Sequence, residues 1–276
     1  MQEAKRNVTS ENDLQKIKEL RLMDDDFFSE ALDEKTEVVE YILNTILERD
    51  DIKVKSTKAQ VEYKSATKRS IKLDIQAEDV NGRLMDIEIQ RSDRGSGVRR
   101  ARFHSSMIDR ALLSKGDDFE DLVDTYVIFI TEKDKFGMGI PLYHIERKIS
   151  EMDNALFGDG THILYVNGEY RNLEHPVGSL MHDFNCKDAK DMVNPLLAEE
   201  VRYLKETEGG RSQMSRILEE MRNEVAEKAK AEGNHEKAVS TSLKLLVRGR
   251  DSMEEIAEIT GLSLEEVRKL ADNQKG

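Results

Sequence analysis

The residues of this chain that could do chemistry together are two carboxylates, Asp74 and Glu88, in the stretch Ile71–Arg91 (IKLDIQAEDVNGRLMDIEIQR). Each lies in a run that alternates apolar and polar residues. Ile71, Leu73, Ile75 and Ala77 alternate with Lys72, Asp74, Gln76 and Glu78, and Met85, Ile87 and Ile89 alternate with Leu84, Asp86, Glu88 and Gln90. This two-residue period predicts two strands, each with one apolar face. Facing carboxylates within reach of a shared point can hold a hard divalent cation such as Mg²⁺, which takes oxygen ligands and keeps several waters. Such an ion activates water and stabilises a phosphoryl transition state. The same acids could instead merely solubilise the outer face of a hairpin, and spacing alone leaves both readings open.

Which residues face each other depends on the turn. A two-residue Asn81-Gly82 loop would set Asp74 opposite Ile89 and mix the polar face with the apolar one. A three-residue loop, Val80-Asn81-Gly82, puts glycine at the left-handed position and sets Asp74 opposite Glu88 and Lys72 opposite Gln90. The hydrophobic pattern of both strands favours the second register.

Directly after the acids the chain turns basic, with Arg91, Arg94, Arg99, Arg100 and Arg102 against the single acid Asp93. Arginine clusters bind phosphate through forked hydrogen bonds, and a helix start adds backbone donors. A solvated helix face with internal ion pairs is the plainer reading of the same residues. His104, on this predicted helix among arginines, reads as a surface residue.

The flanking elements follow from periodicity. Asp24-Asp25-Asp26 before Phe27 and Phe28 marks a helix start, and Val38, Ile42 and Ile46 place a core helix over Lys35–Arg49. Glu37 and Glu40 on its other side either approach the hairpin or face water. Ala59–Lys64 reads as a strand, Val98–Ser114 as a helix, and the apolar run within Asp124–Thr131 as a strand buried on both faces. A second hairpin is predicted over Thr161–Arg171, with Asn167-Gly168 as its turn. After Pro176 the chain is helical and charged, and Pro195, Gly209-Gly210 and Gly233-Asn234 divide it into Asp188–Glu206, Arg211–Glu232 and Glu236–Val247. Two short helices around Thr260-Gly261-Leu262-Ser263 resemble a helix-turn-helix. The second opens with Leu264-Glu265-Glu266, acids that would repel DNA phosphate, so docking or self-association suits it better.

Composition narrows the class. A net charge of −13 confines any nucleic-acid contact to a local patch. The single cysteine, Cys186, excludes an intramolecular disulfide and a multi-cysteine zinc site. No apolar run reaches a membrane-spanning length, and no signal peptide is evident, so a cytoplasmic protein with no membrane partner is expected. No phosphate-binding loop, dinucleotide fingerprint or nucleophile elbow occurs.

In the setting LDIQAED…GRLMDIEIQR, with FFSEAL…VVEYILNTIL before it and TYVIFIT after, Asp74, Glu88 and Gln90 resemble the PD-(D/E)xK nuclease family transposases, also called recombination-promoting nuclease or Rpn-like proteins. The resemblance spans about Leu22 to Arg147. It implies a restriction-endonuclease-like α/β core (helix, three strands, helix, strand), here followed by a helical C-terminal region. That order agrees with the one read from periodicity. It also implies Mg²⁺- or Mn²⁺-dependent DNA endonuclease activity in recombination or mobile-element biology. Asp74 and Glu88 match the metal-binding acids, and Gln90 stands where the wider superfamily has lysine. Glutamine can hydrogen-bond a water but cannot act as a base near neutral pH. Lys72, expected opposite Gln90, could supply the missing charge. The alternative is a catalytically weak or inactive DNA-binding or assembly protein on a nuclease-like core. Four segments are expected: a polar segment over 1–22, the nuclease-like domain over 23–185, a charged helical region over 186–234, and a helix-turn-helix-like tail over 235–276. The C-terminal helices are the expected route to a homo-oligomer.

Overall fold

The computed structural model describes residues 10–64, 70–91 and 96–273. The polar loop after Lys64 lies largely outside these residues, as does Arg94. The chain divides into two compact units, one ending at Ser215 and the other beginning at Arg216.

Three helices open the first unit: α1 (Glu11–Glu19), α2 (Asp25–Leu32) and α3 (Thr36–Ile46). Strands β1 (Val54–Tyr63), β2 (Ile71–Asp79) and β3 (Leu84–Gln90) follow, then α4 (Val98–Leu112) and β4 (Thr125–Thr131). The expected order of helix, three strands, helix and strand is therefore present. Four more strands, β5 (Leu142–Ile145), β6 (Lys148–Ile149), β7 (Ala155–Leu156) and β8 (Thr161–Asn167), precede α5 (Pro176–Asn185) and α6 (Pro195–Glu206). Six strands form one mixed sheet in the order β1-β2-β3-β4-β8-β5, and β6 and β7 make a separate pair. β3, β4 and β8 run parallel at its centre. Every residue of β4 is buried, as its unbroken apolar run requires. α4 packs over this sheet through Ala101, Met107 and Ile108, in one apolar cluster with Leu73, Leu84, Val127, Phe129 and Tyr165.

The β2–β3 hairpin has the three-residue loop. The backbone N–H of Asp79 donates to the Arg83 carbonyl at 3.1 Å, and Gly82 takes φ +80°, where a side chain would be strained. The buried Asp79 carboxylate accepts the N–H groups of Asn81 and Arg83, which fixes the turn from inside. Pairing runs from Glu78 with Leu84 to Ile75 with Ile87, the expected register, and stops there. Lys72 is therefore not paired with Gln90: Lys72 pairs with Glu62 on β1, and Gln90 with Thr131 on β4. Beyond Ile75 and Ile87 the N–H groups of Asp74 and Ile89 bond carboxylate oxygens instead of the facing strand's carbonyls, and the ladder ends there.

Two further expectations change. The Asn167-Gly168 pair does not turn a hairpin, because the strand antiparallel to β8 is β5, which precedes it in sequence. Gly168 is instead pressed against the end of β4. Its N–H donates to the Thr131 carbonyl at 2.7 Å, and an added Cβ would lie only 2.3 Å from that oxygen. The break expected at Gly209-Gly210 falls at Thr207, between the end of α6 at Glu206 and the start of α7 (Glu208–Arg248), whereas Gly233-Asn234 breaks nothing, since α7 runs on through it. A glycine costs about 1 kcal/mol in a helix interior, which a 41-residue helix absorbs.

In the second unit, α8 (Met253–Thr260) and α9 (Leu264–Asn273) flank Gly261, which takes φ +72°. Ser252 and Glu255 form a capping box that starts α8. Ile256, Leu262 and Val267 form the small core of this unit. No helix among the described residues is long and apolar enough to cross a membrane.

Candidate active site

Where β2 and β3 part, Asp74 and Glu88 cross-link them. The N–H of Asp74 donates to Oε1 of Glu88 at 3.0 Å, and the N–H of Ile89 donates to Oδ2 of Asp74 at 2.9 Å. Side-chain oxygens thus take the place of backbone carbonyls, which keeps both buried N–H groups satisfied while drawing the two carboxylates together. The acids do not lie on a solvated outer face. Asp74 is 7% exposed, and Asp86 and Glu88 are fully buried.

α4 closes the site from above. Arg100 and His104 lie one helical turn apart on the same face. Nη2 of Arg100 pairs with Oε2 of Glu88 at 2.9 Å, and its Nε donates to Nε2 of His104 at 3.2 Å. His104 is not a surface residue; at 2% exposure it sets Nδ1 2.9 Å from Oδ2 of Asp86. Phe129 of β4 backs both side chains, with its ring centroid 6.0 Å from the Arg100 guanidinium carbon and 5.8 Å from the His104 ring.

The electrostatics are those of crowded, dehydrated acids. Burial, then the charges of Glu88 and Asp25, push Asp74 up to about 8, against the Ile89 N–H and Arg100. Burial and Asp86 raise Glu88 to about 8 as well, with His104, the Asp74 N–H and Arg100 pulling the other way. Burial holds Asp86 well above the ordinary carboxylate range. Asp25, at the first turn of α2, joins this group from the rim. It too is raised, by burial and then by Asp26, while Lys72 and Arg100 lower it. Asp25 escaped the sequence reading because three aspartates at a helix start read as capping; its register beside Phe27 and Phe28, both wholly buried, was the available signal. Glu40 does not join the site. Its carboxylate takes the Val54 N–H and the Lys53 ammonium at the start of β1. Glu37 is exposed on α3.

A cleft of about 630 Å³ opens beside the acids, lined by Ser70, Ile71, Lys72, Arg99, Arg100, Phe103 and His104. Lys72, Arg99 and Arg100 give it a cationic wall. The other arginines differ. Arg91 is paired with Asp24 at 2.8 Å and lies 3.6 Å from Glu132, whose own partner is Arg21 at 2.8 Å. Arg102 is exposed and does not line the cleft, and Arg94 is outside the described residues. Gln90 ends β3, two residues beyond Glu88, and its carbonyl accepts the Glu132 N–H at 2.9 Å.

The donor set suits a cation. Asp74 and Glu88 offer oxygen alone, the preference of Mg²⁺. Asp86, Glu88 and His104 form an overlapping group whose ligand atoms lie within 4.8 Å of one another. Oδ1 of Asp86 is buried without a hydrogen-bond partner among the described residues. A dication would offset the burial, and after it the mutual repulsion, that raises all three acids.

A mixed sheet with helices on it and buried acids between splayed strands defines a nuclease-like α/β fold of the PD-(D/E)XK kind. The chain belongs to the PD-(D/E)XK nuclease family transposases, whose profile matches residues 25–175, more than half of its length. The resemblance read from the hairpin is borne out and extends beyond Arg147. Nucleases of this family generally depend on a divalent metal. No curated protein and no solved structure gives a significant match to the chain.

Proposed function

We propose that the chain is a DNA endonuclease of the transposase type that hydrolyses phosphodiester bonds, with Mg²⁺ or Mn²⁺ held by Asp74 and Glu88. The observation that carries this reading is the pair of crossed hydrogen bonds that brings these carboxylates together beside a cationic cleft. When bound, the ion lowers the pKa of a coordinated water and offsets charge on the phosphate. Gln90 orients the attacking water through its side-chain amide, and Lys72 supplies the positive charge that glutamine lacks. Arg99 grips the DNA backbone in the cleft. Arg100, which contacts Glu88 and lines the cleft, would add positive charge where the phosphate lies. Asp25 extends the acid group from α2. Recombination or mobile-element movement, in the cytoplasm, is the biological setting that goes with this chemistry.

One observation favours a second reading, a DNA-binding or assembly protein on an inactive core. Arg100 already satisfies Glu88, and glutamine replaces the motif lysine. Incubation of supercoiled plasmid with purified protein and Mg²⁺ or Mn²⁺ separates the two. Nicking that falls at least about 100-fold in Asp74→Ala and Glu88→Ala supports the enzyme. DNA binding without cleavage in either metal supports the second reading.

A further inference from the structure

A second group of ligand-type side chains lies at the end of α5, in the sequence His182-Asp183-Phe184-Asn185-Cys186. His182 and Cys186 are four residues apart and so share a helix face. α5 ends at Asn185, and Cys186 caps it, its N–H donating to the Asp183 carbonyl at 3.0 Å. Nδ1 of His182 is 3.1 Å from Oδ1 of Asp183 and 3.7 Å from Sγ of Cys186, and the three ligand atoms all lie within 4.8 Å of one another. Tetrahedral zinc, with bonds of about 2.3 Å to sulfur and about 2.0 Å to nitrogen or oxygen, has ligand-to-ligand edges of roughly 3.3 to 3.6 Å. The two Nδ1 separations fall on either side of those values; Sγ is also 4.0 Å from Nε2, so the imidazole would turn about its Cβ–Cγ bond to aim Nδ1 at an ion shared with the sulfur.

We propose that His182, Asp183 and Cys186 bind one divalent cation of the Zn²⁺ class, at a site that shares no residue with the acids of the β2–β3 hairpin. The support for the ligands is already in place. Asp183 is 1% exposed, and its two oxygens accept the N–H groups of Val193 and Asn194, each at 2.7 Å, so its position is fixed before an ion arrives. His182 and Cys186 are half-buried, which leaves a route for the ion and room for water as a further ligand. Binding a dication would displace the thiol proton, since the thiolate is the ligand. Sulfur and imidazole select Zn²⁺ or Co²⁺ over Mg²⁺, the reverse of the oxygen-only pair Asp74 and Glu88.

The full-length protein titrated with Co²⁺ in excess Mg²⁺ tests the site. Cys186 is the only cysteine, so a sulfur-to-cobalt charge-transfer band in the near ultraviolet can arise from no other residue. The band is expected to saturate at one equivalent per chain and to vanish on adding Zn²⁺. It should be absent in Cys186→Ser, weaken in affinity by about 10-fold or more in His182→Ala, and persist in the Asp74→Ala/Glu88→Ala double variant. Circular dichroism checks that each variant is folded, and Asp183 is left intact because it also holds the backbone of Val193 and Asn194. Absence of the band at millimolar Co²⁺ overturns the proposal. So does a band of undiminished affinity in His182→Ala, or one that forms only as light scattering shows two chains joining.

Discussion

Burial first, then the charge of Glu88 on Asp74 and of Asp86 on Glu88, favours the protonated form of both acids. Burial raises both to about 8, and the folded chain therefore holds protons that the unfolded chain releases between about pH 4 and pH 8. In the metal-free protein their contribution to stability is full below the ordinary carboxylate range and is lost as pH rises through 8. The melting temperature without metal should accordingly be higher at pH 5 than at pH 8.5. Mg²⁺ should raise it at pH 8.5 and scarcely at pH 5, and Asp74→Asn should flatten the difference, all readable by calorimetry. A metal-free melting temperature that rises with pH over this window would mean that the acids are ionised and paired. Gln90 gives a second prediction at this scale. If it only places water, Gln90→Ala should keep calorimetric metal binding while cleavage falls about 100-fold, because geometry and not affinity is damaged. Lys72 does not face Gln90 in the ladder, so any help it gives comes from the cleft wall it shares with Arg99. Rescue of Lys72→Ala by Gln90→Lys would show that the two positions serve one charge; parent-like cleavage by Lys72→Ala would remove Lys72 from the reaction.

Two elements build the site, and each hides something from a linear reading. The β2–β3 hairpin has the register that its alternation and turn dictate, yet its useful part lies where that ladder ends and the Asp74 and Glu88 carboxylates take over the backbone N–H groups. α4 carries Arg99 and Phe103 toward the cleft and Arg100 and His104 toward the acids, a separation set by helical spacing. A run of arginines on paper thus divides: Arg99 lines the cleft, Arg100 lines it and also binds Glu88, Arg91 is tied to Asp24, and Arg102 is exposed away from the cleft. Each phosphate contact contributes about 0.9 to the slope of log affinity against log salt. Arg99→Ala should flatten that slope by about this amount on any DNA sequence, while Arg91→Ala should leave it unchanged; equal slopes for the parent and Arg99→Ala would take Arg99 out of the interface.

Across the whole molecule, the acids, cleft and sheet all fall within the unit that ends at Ser215, and the second unit has a core of its own. Truncation after Ser215 should leave a chain that melts cooperatively and keeps metal binding. If the C-terminal helices assemble subunits, the truncated chain should show a lower mass per particle by light scattering than the full chain, and an unchanged state of assembly would leave these helices with another task. With a net charge of −13, contact with DNA depends on the cationic wall of the cleft, so binding should be strongly salt-dependent. The sequence by itself determined the succession of helix, three strands, helix and strand, the three-residue turn, the hairpin register and the family, because alternation, turn chemistry and helical spacing are short-range properties. It also brought Asp74 and Glu88 to notice as a pair. Only the tertiary structure decided that the acids are buried, that Asp25 and His104 join them, that Arg91 is spent on Asp24, and that Gly168 serves close approach to Thr131 and not a turn. Each of these rests on contacts between residues far apart in the chain, where packing and desolvation, not local pattern, fix a side chain's surroundings.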